Sequence, residues 1–399
     1  MLQAVDDLPA VDFASKAYRM QPFPILADYA RRWKVARSVR GVEIFDYELC
    51  RASILDRRLG TGHPKLMEVL GLPEGPALDY KSKSISFYNR GERRRNLRRP
   101  IVKLLGDKAS ERFRRDIRRI VADAVESLPT DRPIDLIASL CDKIPSSLYC
   151  YWVNAPETDW EFIARTSHIV QQVHTRDSSR TREIVQGFEE LLSYIDHRIE
   201  DRRSDPGSDL ISDLIREADA GNLSDDDLRN WIVKLAEANT DNSSHQIGIA
   251  IIELASRPET WARLSRNPSL APAAVREVMR YRPRSISTSR EALADMEMAG
   301  CAVPKGTPVF ANFGAAHWNA AYYPEPERFD IDRPAQPAHL NFGGGVFSCV
   351  GRYVVTIEVE ETIALLATSF PNLRLEKAGF DHSPMFTSVT DLVAELDPS

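Results

Sequence analysis

The chain has 399 residues, 43% hydrophobic and 28% charged, which is ample length to bury a large core. Its 52 Lys and Arg against 58 Asp and Glu leave a formal charge of −6, which argues against a nucleic-acid binder, whose domains are strongly basic. The composition excludes disorder and collagen. Five cysteines (Cys50, Cys141, Cys150, Cys301 and Cys349) include no Cys-x-x-Cys and no Cys/His cluster at zinc spacing, so the expected compartment is the reducing cytoplasm. Met1–Met20 carries Asp6, Asp7 and Asp12 without the basic-then-apolar order of a signal peptide, and no apolar run reaches membrane-spanning length.

To about residue 60, short strand-like runs such as Val42–Tyr47 alternate with short helices. The segment Arg90-Gly91-Glu92-Arg93-Arg94-Arg95-Asn96-Leu97-Arg98-Arg99 is dense in arginine, and on a helix Arg94 and Arg98 face the same way. From about 108 to 282 the pattern is helical, as in Ile117, Ile120, Val121 and Val125. Turns fall at Asp205-Pro206-Gly207 and Ala220-Gly221-Asn222. The longest helix is predicted to start at an N-cap, Ser224, with Asp225, Asp226 and Asp227 suiting its dipole, and to run to about Ser256. At 1.5 Å per residue it spans roughly 48 Å, enough to cross an entire domain. Met296–Val303 and Thr307–Asn312 read as strands around the Pro304-Lys305-Gly306 turn. A glycine-rich loop, a helix over about 350–369 and a short β-like tail complete the chain.

The most informative segment is Asn341-Phe342-Gly343-Gly344-Gly345-Val346-Phe347-Ser348-Cys349-Val350-Gly351-Arg352. Three successive glycines permit a tight turn and close backbone approach to something bulky. Cys349 follows at the mouth of a predicted helix, where backbone N–H groups favour thiolate. By itself the segment reads equally as a glycine-rich turn beside a buried, inert cysteine. A dinucleotide loop fits poorly, because the glycine spacing differs and no βαβ unit surrounds it.

The pattern Phe342-Gly343-x-Gly345-x-x-x-Cys349-x-Gly351 resembles the haem-binding loop of cytochrome P450 enzymes. Three further segments match in the right order. Glu277-Val278-Met279-Arg280 puts Glu and Arg on one helix face. A surface pair there would contribute little, whereas the resemblance implies a buried structural ion pair. Pro324–Arg333 resembles the meander preceding the cysteine loop, with Arg328 or Arg333 completing the network. Ala238-Asn239-Thr240-Asp241-Asn242-Ser243 lies in mid-helix, where the family has its distal oxygen-binding groove. The resemblance covers nearly all of 1–399 and implies one domain, a mainly α helical prism with small β-sheet regions.

The same resemblance implies that Cys349 is the axial thiolate of haem b (iron protoporphyrin IX), in a loop shaped by Phe342, Gly343 and Gly351. Arg94, Arg98 and Arg290 would hold the propionates. The arginine run also reads as a solvated face, or as a dock for an acidic ferredoxin. The implied reaction inserts one atom of dioxygen into a small organic substrate. Electrons would come from a separate ferredoxin and ferredoxin reductase, with no nucleic acid and no membrane involved. Asp241, Asn242 and Ser243 are the expected proton-delivery residues. Phe87, Tyr88, Ala238, Asn239, Ser285, Ser287, Thr288 and Met385 are the expected substrate contacts.

Two departures bear on mechanism. Phe347 stands where the family commonly has His or Arg, so one propionate contact is expected to be lost or taken over by the arginine-rich helix. In the groove Asn239 replaces Gly and Asn242 replaces Thr. Asn242 donates and accepts hydrogen bonds but does not ionise, and Ser243 points about 100° further round the helix. Relay through ordered water is one reading. The alternatives are a peroxygenase, an oxidative coupling or cyclising enzyme, and a non-catalytic haem sensor.

Overall fold

The computed structural model describes residues 2–61, 71–85, 91–175 and 178–397. Its axis is the long helix, Asp225–Ala255, which starts as its sequence predicts. Ser224 Oγ accepts from the Asp227 N–H while the Asp227 carboxylate accepts from the Ser224 N–H, so two otherwise orphaned donors are satisfied reciprocally. Ile232, Val233, Ala236, Ile247, Ile249 and Ile251 are buried on all sides of this helix, the signature of a core helix rather than a surface one. Helices Lys143–Trp152, Trp160–Gln171, Thr181–Ser204 and Arg352–Ser369 pack around it.

The β structure is confined to small sheets. Five strands run in the order Val35–Ser38, Gly41–Ile44, Pro308–Asn312, Ser287–Ala292 and Leu59–Gly60. Arg374–His382 and Thr387–Glu395 form the tail hairpin, extended by Ile134–Asp135. The strand Thr387–Glu395 packs onto the helical body, since Val389 and Leu392 belong to the same apolar core as the long helix.

Two local expectations change. The strand at Val42–Tyr47 ends at Ile44, because Asp46 accepts from the Leu49 N–H at 2.9 Å and caps a helix, Tyr47–Ser53. Met296–Val303 divides into Met296–Met298 and Cys301–Val303, folded back at Ala299 (φ 51°) and Gly300 (φ 82°), the positive-φ pair that a tight hairpin requires. A further strand that the sequence pattern does not signal, Ser287–Ala292, contains Arg290 and runs antiparallel to Pro308–Asn312. That strand has little apolar alternation, and its place in mid-sheet supplies the order its sequence does not signal.

Candidate active site around Cys349

The cysteine loop is held by short polar contacts. Gly343 (φ 61°) and Gly345 (φ 59°) take left-handed conformations that side chains disfavour. The Cys349 N–H donates to the Phe342 carbonyl at 2.8 Å, the Asn341 amide to the Met279 carbonyl at 2.7 Å, and the Leu340 N–H to His317 Nε2 at 2.8 Å. Cys349 is exposed at its surface, yet the protein atoms packed around it push its thiol up. The Gly351 and Arg352 N–H groups and the charges of Arg98 and Arg352 act in the opposite sense. A Cβ at Gly351 would lie 4.0 Å from the sulfur.

Behind the loop, Glu277 and Arg280 form a bidentate pair (2.8 and 2.7 Å), both 3% exposed or less. Arg280 also donates to the carbonyls of His317 (3.1 Å) and Pro326 (2.9 Å), and the Asp330 N–H donates to Glu277 at 3.0 Å. Arg333 completes the network, 3.4 Å from Glu277. Arg328 contributes its carbonyl while its side chain pairs outside with Asp330.

Three arginines converge on the other side of the loop. Arg94, on the helix Glu92–Leu105, donates to the carbonyls of Val346 (2.9 Å) and Ile85 (2.7 Å). Arg98 reaches Ser348 Oγ at 3.2 Å. The Arg94 and Arg290 guanidinia lie 4.4 and 4.8 Å from the Phe347 ring, so the residue expected to forfeit a contact instead organises two cations. A sulfur supplied with N–H donors, in a loop whose Val346, Phe347 and Ser348 are touched by three arginines, fits a group ligated through sulfur and carrying carboxylates.

On the long helix the candidate groove residues have specific partners. Asn242 Nδ2 donates to the Ala238 carbonyl at 2.9 Å, and its Oδ1 accepts from Arg284 Nε at 3.4 Å. Asp241 pairs with Arg284 (2.7 Å) and with His168 Nδ1 (2.9 Å), while His168 Nε2 meets Asp142 at 2.9 Å. Burial alone would pull His168 down, but the hydrogen bonds and charges of Asp142 and Asp241 lift it to about 10. Burial opposes ionisation of Asp241, and Arg284 and His168 nevertheless hold it below the usual carboxylate range. The ligand atoms of His168, Asp241 and His245 lie within 4.8 Å of one another. His245 Nδ1 accepts the Val389 N–H at 3.2 Å, which places its proton on Nε2, and Arg284 already neutralises Asp241. The cluster is therefore an ion-pair network rather than a cation site.

Ser243 turns away from this network and donates to Glu358 at 2.7 Å, with Asn239 Oδ1 at 3.4 Å. Burial pushes Glu358 up to about 7 against the hydrogen bonds from Ser243 and Asn239. Ser287 Oγ donates to the Pro384 carbonyl (2.8 Å) and contacts Met385 Sδ (3.3 Å), and Ser285 bridges to Phe386. Thr288 accepts from Arg290 at 3.1 Å. Phe87 and Tyr88 lie outside the described residues. The sequence reading did not single out His168, Arg284 or Glu358. An acid and a hydroxyl in the middle of the longest helix, Asp241 and Ser243, were the only hint of such remote partners.

The family model for cytochrome P450 matches residues 151–378. The chain is 28% identical to luteothin monooxygenase of Streptomyces thioluteus, over 91% of this chain and 89% of that one. It is 30% identical to mycinamicin IV hydroxylase/epoxidase of Micromonospora griseorubida, over 70% of each. Among solved structures, CalO2 matches with TM-score 0.89 at 23% identity, covering 98% of this chain and 100% of that one. CxnD, a P450 enzyme for C–S bond formation in chuangxinmycin biosynthesis, matches with TM-score 0.85 at 24% identity, covering 98% and 99%. At these identities the structural likeness establishes the fold. The chain belongs to the cytochrome P450 family. It is a haem-thiolate monooxygenase that takes an organic substrate, dioxygen and electrons from a redox partner. No described helix is long and apolar enough to cross a membrane.

Proposed function

We propose that the chain is a single-domain cytoplasmic enzyme binding haem b through Cys349 and receiving electrons from a ferredoxin and its reductase. The observation that carries this reading is the Cys349 sulfur, faced by the Gly351 and Arg352 N–H groups and beside Arg98. When bound, the haem supplies dioxygen activation and insertion of one oxygen atom into the substrate. Arg94, Arg98 and Arg290 hold its propionates, with Phe347 setting the spacing of two of them. Phe342, Gly343 and Gly351 keep the loop close to the macrocycle. Glu277 and Arg280 hold the meander that fixes the loop from behind.

On the distal side Asn242 occupies the Ala238 carbonyl and so shapes the groove without ionising. Asp241, linked to half-exposed His168, joins the groove to solvent through groups that keep their charge at neutral pH. Glu358, whose carboxyl burial pushes up to about 7, meets the groove through Ser243 Oγ and Asn239. Ala238, Asn239, Ser285, Ser287, Thr288 and Met385 contact the substrate, and the sequence alone adds Phe87 and Tyr88 to the expected set. The exposed members of the arginine helix, Arg95 and Arg99, suit an acidic electron donor. The test is the spectrum of the reduced, carbon-monoxide-bound protein beside Cys349→Ala. A thiolate-type Soret shift in the parent, lost in the variant, is expected; its absence from the parent ends the assignment. Peroxide-only turnover, with none from ferredoxin and NAD(P)H, would replace the monooxygenase cycle with a peroxygenase one.

A further inference from the structure

One turn and two turns before Asn242 the long helix carries a charge cluster that oxygen activation does not use. Glu237 is fully buried and accepts from Tyr80 Oη at 2.7 Å, from buried Lys81, and from Lys234 at 3.3 Å. Tyr80 and Lys81 come from the helix Pro76–Lys83, and Lys81 lies 5.2 Å from the Phe188 ring of Thr181–Ser204. Two ammonium groups thus share one carboxylate in aromatic surroundings. An uncompensated charge in such a place is costly and calls for a counter-ion.

The position of the surplus charge is specific. Lys234, Ala238 and Asn242 are half-exposed and spaced i, i+4, while Val233, Leu235, Ala236, Glu237, Thr240 and Asp241 beside them are buried. Lys234 therefore shares the face that Ala238 and Asn242 present to the groove. Among the described residues Glu237 is its one polar contact, through a carboxylate that Tyr80 and Lys81 already engage.

We propose that Lys234 is the substrate anchor, and that the enzyme acts on organic acids whose carboxylate pairs with it at the end of the groove away from the Asn242 turn. This rests on the reading of Ala238–Ser243 as the distal groove. A cationic substrate would meet a repelling ammonium, and a monoanionic carboxylate matches the one surplus positive charge that the cluster carries among the described residues. Lys81 and Tyr80 act through Glu237 as positioning residues that fix the carboxylate beside Lys234.

The experiment titrates the holoenzyme with medium-chain ω-(imidazol-1-yl)alkanoic acids and their methyl esters, whose imidazole reports binding as a Soret shift. The acids are expected to bind about tenfold more tightly than the esters, a gap of about 1.4 kcal/mol. Lys234→Met should lower acid affinity to that of the ester, and Lys234→Arg should restore the preference; the carbon-monoxide spectrum checks that both variants fold. Equal binding of acid and ester by the parent, or a preference that survives Lys234→Met, overturns the proposal. So does failure of both probes to bind while neutral 1-phenylimidazole still shifts the Soret band. Loss of the 1-phenylimidazole shift would bring down the haem reading, and the anchor with it.

Discussion

The two sides of the site are built differently. Around Cys349 the functional groups are sequence neighbours or lie at fixed helical spacing: the loop 341–352, the pair Glu277 and Arg280, and the pair Arg94 and Arg98. On the long-helix side, Asp241 meets His168 and Arg284, and His168 in turn meets Asp142, so three other segments converge there. The first side is dominated by backbone geometry, with N–H groups and carbonyls as the working partners. The second is a chain of alternating buried charges, where each group's state depends on the next. Backbone-built sites are robust to pH, whereas linked charges respond to it.

The largest expected effect breaks the first side outright. Cys349→Ala should reduce NAD(P)H-coupled product formation to background, measured with ferredoxin and reductase supplied. Next comes Glu277→Ala, which leaves the buried Arg280 guanidinium without its carboxylate and should cost about 3–5 kcal/mol in denaturant unfolding. A loss below about 1 kcal/mol would show that the carbonyls of His317 and Pro326 suffice.

Two smaller effects sharpen the contrast, because they depend on pH. His168 has its pKa raised from 6.5 to about 10, so the folded state holds a proton that the unfolded chain releases. The stabilisation is full below about pH 6.5 and fades as pH rises to about 10. The stability difference between parent and His168→Gln should therefore shrink across that window. A flat difference would show that the ring acts by packing. Glu358 shifts from 4.5 to about 7, so the unfolded chain ionises first as pH rises. Parent stability should fall between those values and stay lowered above them. Glu358→Gln should thus gain relative stability from about pH 4.5 to 7 and then hold it. The smallest effect is expected for Asn242→Thr, which keeps a donor for the Ala238 carbonyl. Its unfolding free energy should move by less than about 1 kcal/mol, while coupling of NAD(P)H use to product reports any change in proton delivery.

The Ser224 cap and the long helix were legible because capping and helical periodicity are local. The hairpin at Ala299 and Gly300 and the strand Ser287–Ala292 were not, since one depends on a backbone reversal within an apolar run and the other on neighbours supplied by distant strands. The same distinction governs the site. Cys349, its glycines and the Glu277–Arg280 pair were readable because they stand as short local motifs whose resemblance to the family's segments implied their roles.

By itself, then, the sequence determined the mainly helical class and the course of the central helix, and only its resemblance to the family singled out Cys349 as the expected sulfur ligand. Only the tertiary structure decided that Arg333 rather than the Arg328 side chain joins Glu277, and that Phe347 sits near two guanidinia. It also decided that Asp241 is held by His168 and Arg284, that Ser243 faces Glu358, and that Lys234 shares Glu237 with Lys81. The physical reason is range. Hydrogen-bonded backbone patterns propagate over a few residues, but the partner of a buried charge is whichever group the packing of remote segments brings within reach.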